Sequence, residues 1–359
     1  MSDFNDFWEK LTPSYPVSNA AFKLPIASKL LTIDEFSKAE FLKELRLILG
    51  ELLDKHATKD SAVARAKQAG EEKIIPLIDD DFTGIVRFDC VIDEHSGKIK
   101  ILELNSDYPD GLILHDKTYS VLSETTNTLH ADLLKELFEG SLSAHVLHHH
   151  KASFLDAYYN EKLTLEDLLK KPVTIGGEVD ADTQIIRRCL EISKLSESDC
   201  EKMARNNARS INTFAMRTLG YKDLLSSLTH TYIPQTKPLT EDISEEIISN
   251  KDSWIIKPVD GCEGDGIYFG NNHSDDEWQN IIISNTNNHY IAQEFVKLKK
   301  MKTSFYIDGA IVEKELYFDL CPHFFIKNGK IIGDGHVLMR FSEEPVVNVS
   351  KGGGIGYLK

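Results

Sequence analysis

Two stretches of alternating side chains constrain this chain more than anything else in it: Gly84-Ile-Val-Arg-Phe-Asp-Cys-Val-Ile-Asp93 and Lys98-Ile-Lys-Ile-Leu-Glu-Leu-Asn105. A period of two belongs to strands, whose successive side chains point to opposite faces. The link between them is short, so the pair reads as an antiparallel hairpin. Directly opposed residues of such a pair point the same way. A five-residue loop, Glu94 to Lys98, sets Asp89 opposite Glu103 and Arg87 opposite Asn105. A register slip of two residues changes the partners but leaves all four on one face, whereas a slip of one separates them.

Two carboxylates and an amide oxygen on one sheet face make a donor set for a hard cation such as Mg2+. The same alternation also describes a solvated strand face with a surface ion pair. The Pro/Gly turn Ser106-Asp-Tyr-Pro-Asp-Gly111, directly after Asn105, favours the metal reading because it fixes the chain beyond the last donor.

A second group of motifs lies far downstream. Trp254-Ile-Ile-Lys257-Pro-Val259 is an apolar strand with one lysine, and it runs into a loop containing Gly261, Gly264 and Gly266. Glycines let backbone N–H groups approach phosphate oxygens, and the lysine supplies charge. No G-K-[ST] follows, so this is not a Walker loop, and a plain glycine-rich turn is the alternative. Cys262 in the loop reads as a small filler. Tyr290-Ile-Ala-Gln293-Glu294-Phe295-Val296 is either a plain strand or one that offers backbone groups to an adenine edge. Near the end, Arg340, Asn348 and Lys351 precede Gly352-Gly-Gly354, which suits an anion or is a flexible tail.

Elsewhere the pattern is mixed. Helical spacing covers Asp34–His56, Ser61–Lys73, about 117–159, Asp182–Leu195, about 197–228 and Glu241–Ser249, and Pro172–Gly177 reads as a buried-type strand. A hairpin spans His323–Gly333, turning at Asn328-Gly329. The expected boundaries fall near 120 and 236. Lys plus Arg total 41 against 57 Asp plus Glu, a formal charge of -16, which disfavours nucleic acid or an anionic membrane as partner. No apolar run reaches a membrane span, and Met1-Ser-Asp-Phe4 is unlike a secretion signal. The five cysteines are scattered with no C-x-x-C pair, which argues against a disulfide framework and against a structural zinc site, so the cytoplasm is the expected compartment. His145, His148, His149 and His150 sit close in sequence, but proximity alone does not make a metal site.

Together, Lys257-Pro258 with its glycine loop, Gln293–Val296, Asn348 with Gly352-Gly353, and Arg87-x-Asp89 with Glu103-x-Asn105 resemble the ATP-grasp superfamily. In that superfamily the lysine strand usually comes first and the metal-binding hairpin last. Here the order is reversed, as in circularly permuted ATP-grasp proteins of the glutathionylspermidine synthetase type, whose E-x-N-x-D-x-P stretch Glu103–Pro109 matches. The resemblance implies an α/β (α+β) protein: a permuted ATP-grasp fold with an additional α/β pre-grasp domain. It divides the chain into a metal-binding half (1–120), a helical and α/β pre-grasp domain (121–236) and a nucleotide-binding half (237–359).

Carried over by residue, the resemblance assigns Lys257 to the ATP phosphates, Gly261, Gly264 and Gly266 to a lid over them, and Gln293, Glu294, Phe295 and Val296 to the adenine hinge, with Asn348 also on the nucleotide. Asp89, Glu103 and Asn105 bind Mg2+. Arg87 lies at the transferred phosphoryl group, and Arg340 and Lys351 hold the substrate carboxylate or its phosphate. The acid that usually contacts ribose is replaced by Lys297–Lys302. An earlier family lysine has Arg205, Arg209 and Lys222 as candidates. The implied activity is ATP-dependent ligation of a small-molecule or peptide carboxylate to an amine through an acyl phosphate. A phosphotransferase and a non-catalytic ATP-binding protein are the rivals.

Overall fold

The strands of the computed structural model fall into three sheets. The structure describes residues 25–34, 36–107, 112–139, 144–147, 155–175, 184–187, 196–205, 209–261, 264–307, 309–347 and 353–359. Asn348, Lys351, Gly352, Cys262, Tyr108–Gly111 and His148–His150 therefore lie outside the described residues.

The chain enters with β1 (Ile26–Ala27), then α1 (Lys38–His56) and α2 (Lys59–Gln68). Helix α1 starts at Ser37, whose hydroxyl accepts from the Glu40 amide at 3.3 Å. The expected hairpin follows as β2 (Gly84–Ile92) and β3 (Ile99–Asn105). Next come α3 (Leu112–Ser123), α4 (Leu129–Leu137), β4 (Ala144–Leu147), α5 (Leu155–Leu169), β5 (Val173–Ile175), β6 (Gln184–Arg187), α6 (Glu197–Arg205) and β7 (Arg209–Ile211). The remainder is β8 (Thr236–Pro238), α7 (Glu241–Ser249), β9 (Trp254–Pro258), β10 (Tyr268–Phe269), α8 (Asp275–Asn285), β11 (Tyr290–Glu294), β12 (Lys300–Ile307), β13 (Ala310–Lys327), β14 (Lys330–Ser342) and β15 (Gly354–Tyr357).

The large sheet has the order β12-β1-β15-β14-β13-β2-β3, so strands from both ends of the chain share one ladder. Its alternation sorts two faces. Phe88, Phe318, Leu320, Met339 and Phe341 point one way and are buried against Phe41, Leu45, Leu49 and Leu52 of α1. At roughly 1.5–3 kcal/mol for each such side chain buried, this face supplies much of the driving force. The opposite face carries Arg87, Asp89, Asp319, His323, His336 and Arg340. The second sheet, β10-β9-β11-β8, packs on α7 and α8 through Ile247, Trp254, Ile256, Trp278 and Ile282. The third, β5-β4-β6-β7, is all parallel, as an open α/β unit requires.

Several local expectations change. The helical reading of 117–159 breaks into α3, α4 and α5, with the strand Ala144–Leu147 between them. Within the expected helix 182–195, Gln184–Arg187 is a strand, and the rest lies outside the described residues. Both segments are held in the middle of the parallel sheet, where pairing on two sides overrides helical spacing. The expected helix 197–228 stops at Arg205 and gives way to β7 and two short 3-10 turns, Ala215–Gly220 and Lys222–Ser227. The glycine-rich segment near the end is no tail from Gly354 onward: β15 lies inside the large sheet between β1 and β14. Residues expected as one nucleotide-binding half, 237–359, divide between two sheets, because β12–β15 join the hairpin's sheet. Among the described residues no helix is long and apolar enough to cross a membrane.

Candidate functional site

The hairpin pairs in the expected register, Arg87 with Asn105 and Asp89 with Glu103. Beyond Glu103 the ladder skips one residue: Cys90 pairs with Ile101, leaving Leu102 as the extra residue of a bulge. A bulge turns a peptide group out of its ladder. Here the Leu102 carbonyl accepts from Lys257 Nζ at 2.9 Å and from Gln293 Nε2 at 3.4 Å. Because β3 is the edge of its sheet, that carbonyl becomes the seam on which the second sheet docks. Lys257 and the metal-type hairpin, 155 positions apart at this contact, thus meet in one cleft.

Asn212, just past β7, holds the start of the hairpin. Its amide accepts from the Ile85 N–H at 2.8 Å and donates to the Ile85 carbonyl at 2.6 Å and to the Ser106 carbonyl. Only glycine fits opposite it, since a Cβ on Gly84 would stand 2.5 Å from the Asn212 amide.

Glu103 lies between two ammonium groups. Lys222 Nζ is 3.5 Å from its carboxylate and also donates to the Gly261 carbonyl. Burial pushes Lys257 down to about 8, opposed by the Glu103 charge and reinforced by Lys222. Of the three candidates for the earlier lysine, Lys222 stands in the cleft. Arg205 is exposed on α6, and the Arg209 side chain lies outside the described residues. Gly264 of the glycine loop lies against Val346, from which a Cβ placed on it would stand 2.9 Å. Gly264 and Gly266 take φ of +81° and +73°, the left-handed region that explains glycine there.

Asp89 is held by two guanidiniums. Arg87 donates to it at 2.7 and 3.1 Å, and Arg340 at 2.8 Å. Burial works to raise its pKa, but Arg340 and then Arg87 outweigh it and hold the carboxyl well below the usual range. Arg340 also makes contacts with Asp319 at 3.0 and 3.1 Å. Both oxygens of Asp89 therefore already accept from cations.

Asn105 differs, since its amide nitrogen is buried with no hydrogen-bond partner. A half-turn of that amide presents an oxygen at the same place, so the end of β3 suits a cation ligand next to Glu103. Glu103, and Asn105 after that half-turn, thus fit a divalent ion, whereas Asp89 fits only with its arginines rearranged.

At the expected hinge, Gln293 turns inward, with its Nε2 also 3.1 Å from Thr236 Oγ1. The Glu294 and Phe295 N–H groups are engaged by the Gln235 and Ser253 carbonyls, both at 2.8 Å, and Val296 follows them. The chain then bonds to the hairpin turn, with the Glu94 N–H on the Lys297 carbonyl at 2.8 Å and the Lys299 N–H on the Ile92 carbonyl at 3.1 Å.

Two site-bordering residues escape sequence reasoning. Asp319 sits within Leu316-Tyr-Phe-Asp-Leu-Cys321, and a lone acid in so apolar a strand was a usable signal of a buried partner. Arg217 donates to Glu71 at 2.6 and 2.7 Å and to Asp107, two residues past Asn105. No local pattern points to it.

Residues 223–329 match the family model of an ATP-grasp domain, a stretch that includes Lys257, the glycine loop and the hinge. A comparison of the sequence with curated proteins gives no match. Among solved structures, a glutathione-synthetase-like effector from Globodera pallida aligns over 100% of this chain and 98% of its own, with a TM-score of 0.53 at 10% identity. A candidate gamma-glutamylcysteine synthetase from Methylobacillus flagellatus aligns over 85% of this chain and 84% of its own, with a TM-score of 0.36 at 12% identity. The chain therefore has a mixed α/β fold that contains an ATP-grasp domain and is distantly similar to a glutathione-synthetase-like protein.

Proposed function

We propose that this protein is an ATP-dependent carboxylate–amine ligase built on a circularly permuted ATP-grasp fold. The observation that carries the reading is the docking of Lys257 on the Leu102 carbonyl. It gathers two lysines, Glu103 and Asn105 into one cleft although the hairpin precedes the matched ATP-grasp segment in the chain.

In this reading Lys257 and Lys222 face the phosphates, with the Gly261–Gly266 loop above them, and the Gln293–Val296 segment borders the adenine. Glu103 and Asn105, joined by Asp89 once its arginines shift, hold Mg2+, which supplies charge neutralisation at the phosphates. Arg87 and Arg340 then lie where the transferred phosphoryl group and the substrate carboxylate meet, and a planar fork suits both anions. Asn348 and Lys351 keep the roles that the sequence resemblance assigns them.

The chemistry asks mainly for positioning and neutralised charge. A carboxylate oxygen of the acid attacks the γ-phosphorus and the bond to the β-phosphate oxygen breaks, releasing ADP. The amine then attacks the acyl carbon, loses a proton and expels phosphate. The test is to supply Mg-ATP, a panel of small and peptide acids, and hydroxylamine. Hydroxamate formed at the expense of ATP supports the ligase. A stable phosphoester without hydroxamate replaces it with a phosphotransferase, and tight ATP binding without ADP release across the panel favours a binding protein.

A further inference from the structure

The hairpin face of the large sheet carries a second polar group away from the cleft. Asp116 of α3, His130 of α4 and His336 of β14 bring three ligating atoms within 4.8 Å of one another, all buried. Three separate elements converge there, so the cluster is not a product of sequence proximity.

Hydrogen bonds satisfy the carboxylate but not both imidazoles: His130 Nε2 is buried with no hydrogen-bond partner. Asp116 Oδ1 faces the His130 N–H at 3.1 Å, His130 Nδ1 at 2.8 Å and His336 Nε2 at 3.4 Å. His336 Nε2 has at most one proton, yet Asn127 Oδ1 faces the same nitrogen at 2.7 Å. Two acceptors thus compete for one hydrogen. Moreover, Asp116 is 2% exposed, and among the described residues no lysine or arginine pairs with it.

The surroundings hold the three groups in place. Asp116 Oδ2 accepts from the Ala131 N–H at 2.8 Å, and the His336 ring stacks on Tyr119 with centroids 3.8 Å apart. Ligands oriented by such neighbours are characteristic of built metal sites.

We infer that Asp116, His130 and His336 form a site for a divalent transition metal, zinc by its two-nitrogen, one-oxygen donor set. Asn127 borders the remaining coordination position. The ion tethers α3 and α4 to β14 and is separate from the Mg2+ of the proposed ATP cleft.

The experiment is titration of the purified full-length protein with Zn2+ against a chromophoric chelator in excess Mg2+, together with thermal melts. The wild type is expected to hold one equivalent of Zn2+ and to melt higher with it, since binding to the folded state alone stabilises it. His336→Gln and Asp116→Asn are each expected to weaken Zn2+ binding by about 100-fold or more, the upper end of what loss of even a supporting residue costs. Glu103→Gln is expected to leave the affinity unchanged, which separates this site from the cleft. A wild type that takes up no equivalent of Zn2+ overturns the inference. So does either variant, folded by circular dichroism, binding Zn2+ as tightly as wild type. If neither variant folds, wild-type stoichiometry and the Zn2+-induced melting shift decide alone.

Discussion

Raising the pH should loosen nucleotide binding through one side chain. Burial lowers Lys257 to about 8, and it is the lysine closest to the bulged Leu102 carbonyl. From that value about nine-tenths of the free protein carries the ammonium at pH 7 and about one-tenth at pH 9. If a bound phosphate keeps the ammonium charged, the association constant follows the charged fraction of the free protein. ATP affinity therefore falls roughly tenfold between pH 7 and 9, or ~1.4 kcal/mol. The sign is set by the charge: an anion prefers the protonated lysine, so binding weakens upward through the Lys257 pKa. Calorimetric titration with Mg-ATP at constant ionic strength reads the profile directly. Lys257→Arg is the control, because a guanidinium stays charged across this range, so the variant's profile should be flat over the same interval. A wild-type profile that stays level to pH 9.5, or a variant that falls in parallel, refutes the assignment of Lys257 to the phosphates.

Three further perturbations probe other parts of the cleft. Glu103→Gln preserves shape but removes a negative charge from the proposed Mg2+ shell, so turnover should collapse while the thermal melt is unmoved; near-normal turnover would return the hairpin to a solvated face. Arg340→Met leaves Asp319 buried without its guanidinium and should cost about 3–5 kcal/mol in urea unfolding, with part recovered by adding Asp319→Asn; a loss below about 1 kcal/mol contradicts the buried pair. Gly84→Ala forces a methyl toward the Asn212 amide and should cost about 1–3 kcal/mol by the same measurement, and an unchanged midpoint would show that the clamp has slack.

How much of this was legible in the sequence varied with the range of the interaction. The register of β2 and β3 was readable because strict alternation and a short loop leave few pairings, and only one parity unites Arg87, Asp89, Glu103 and Asn105. The Asn328-Gly329 turn was readable for the same local reason, and both residues adopt positive φ. The bulge at Leu102 was not, since no glycine or proline marks it and the group that uses its carbonyl, Lys257, comes from another sheet. Gln293 looked like a hinge residue because its neighbours do, yet its side chain is fully buried at the seam. Arg340 was recognisable as a cation near the site, but its partners Asp89 and Asp319 are set by strand order, which a single sequence does not encode locally. His115, Asp116, His130, His323 and His336 gather on one face for the same reason.

The interleaving of early and late strands has a temporal consequence. β2 must pair with β13, yet over two hundred residues separate Ile92 from Ala310. At roughly 5–20 residues per second, a ribosome needs on the order of ten seconds or more to deliver the partner. Throughout that interval the emerged hairpin presents an unpaired edge with Phe88, Cys90 and Ile92 beside it, the kind of edge that recruits foreign strands. A nascent chain stalled before residue 310 should therefore be far more prone to self-association than the finished protein. Expression yield should accordingly respond to translation speed and to chaperone supply more than to the stability of the final fold.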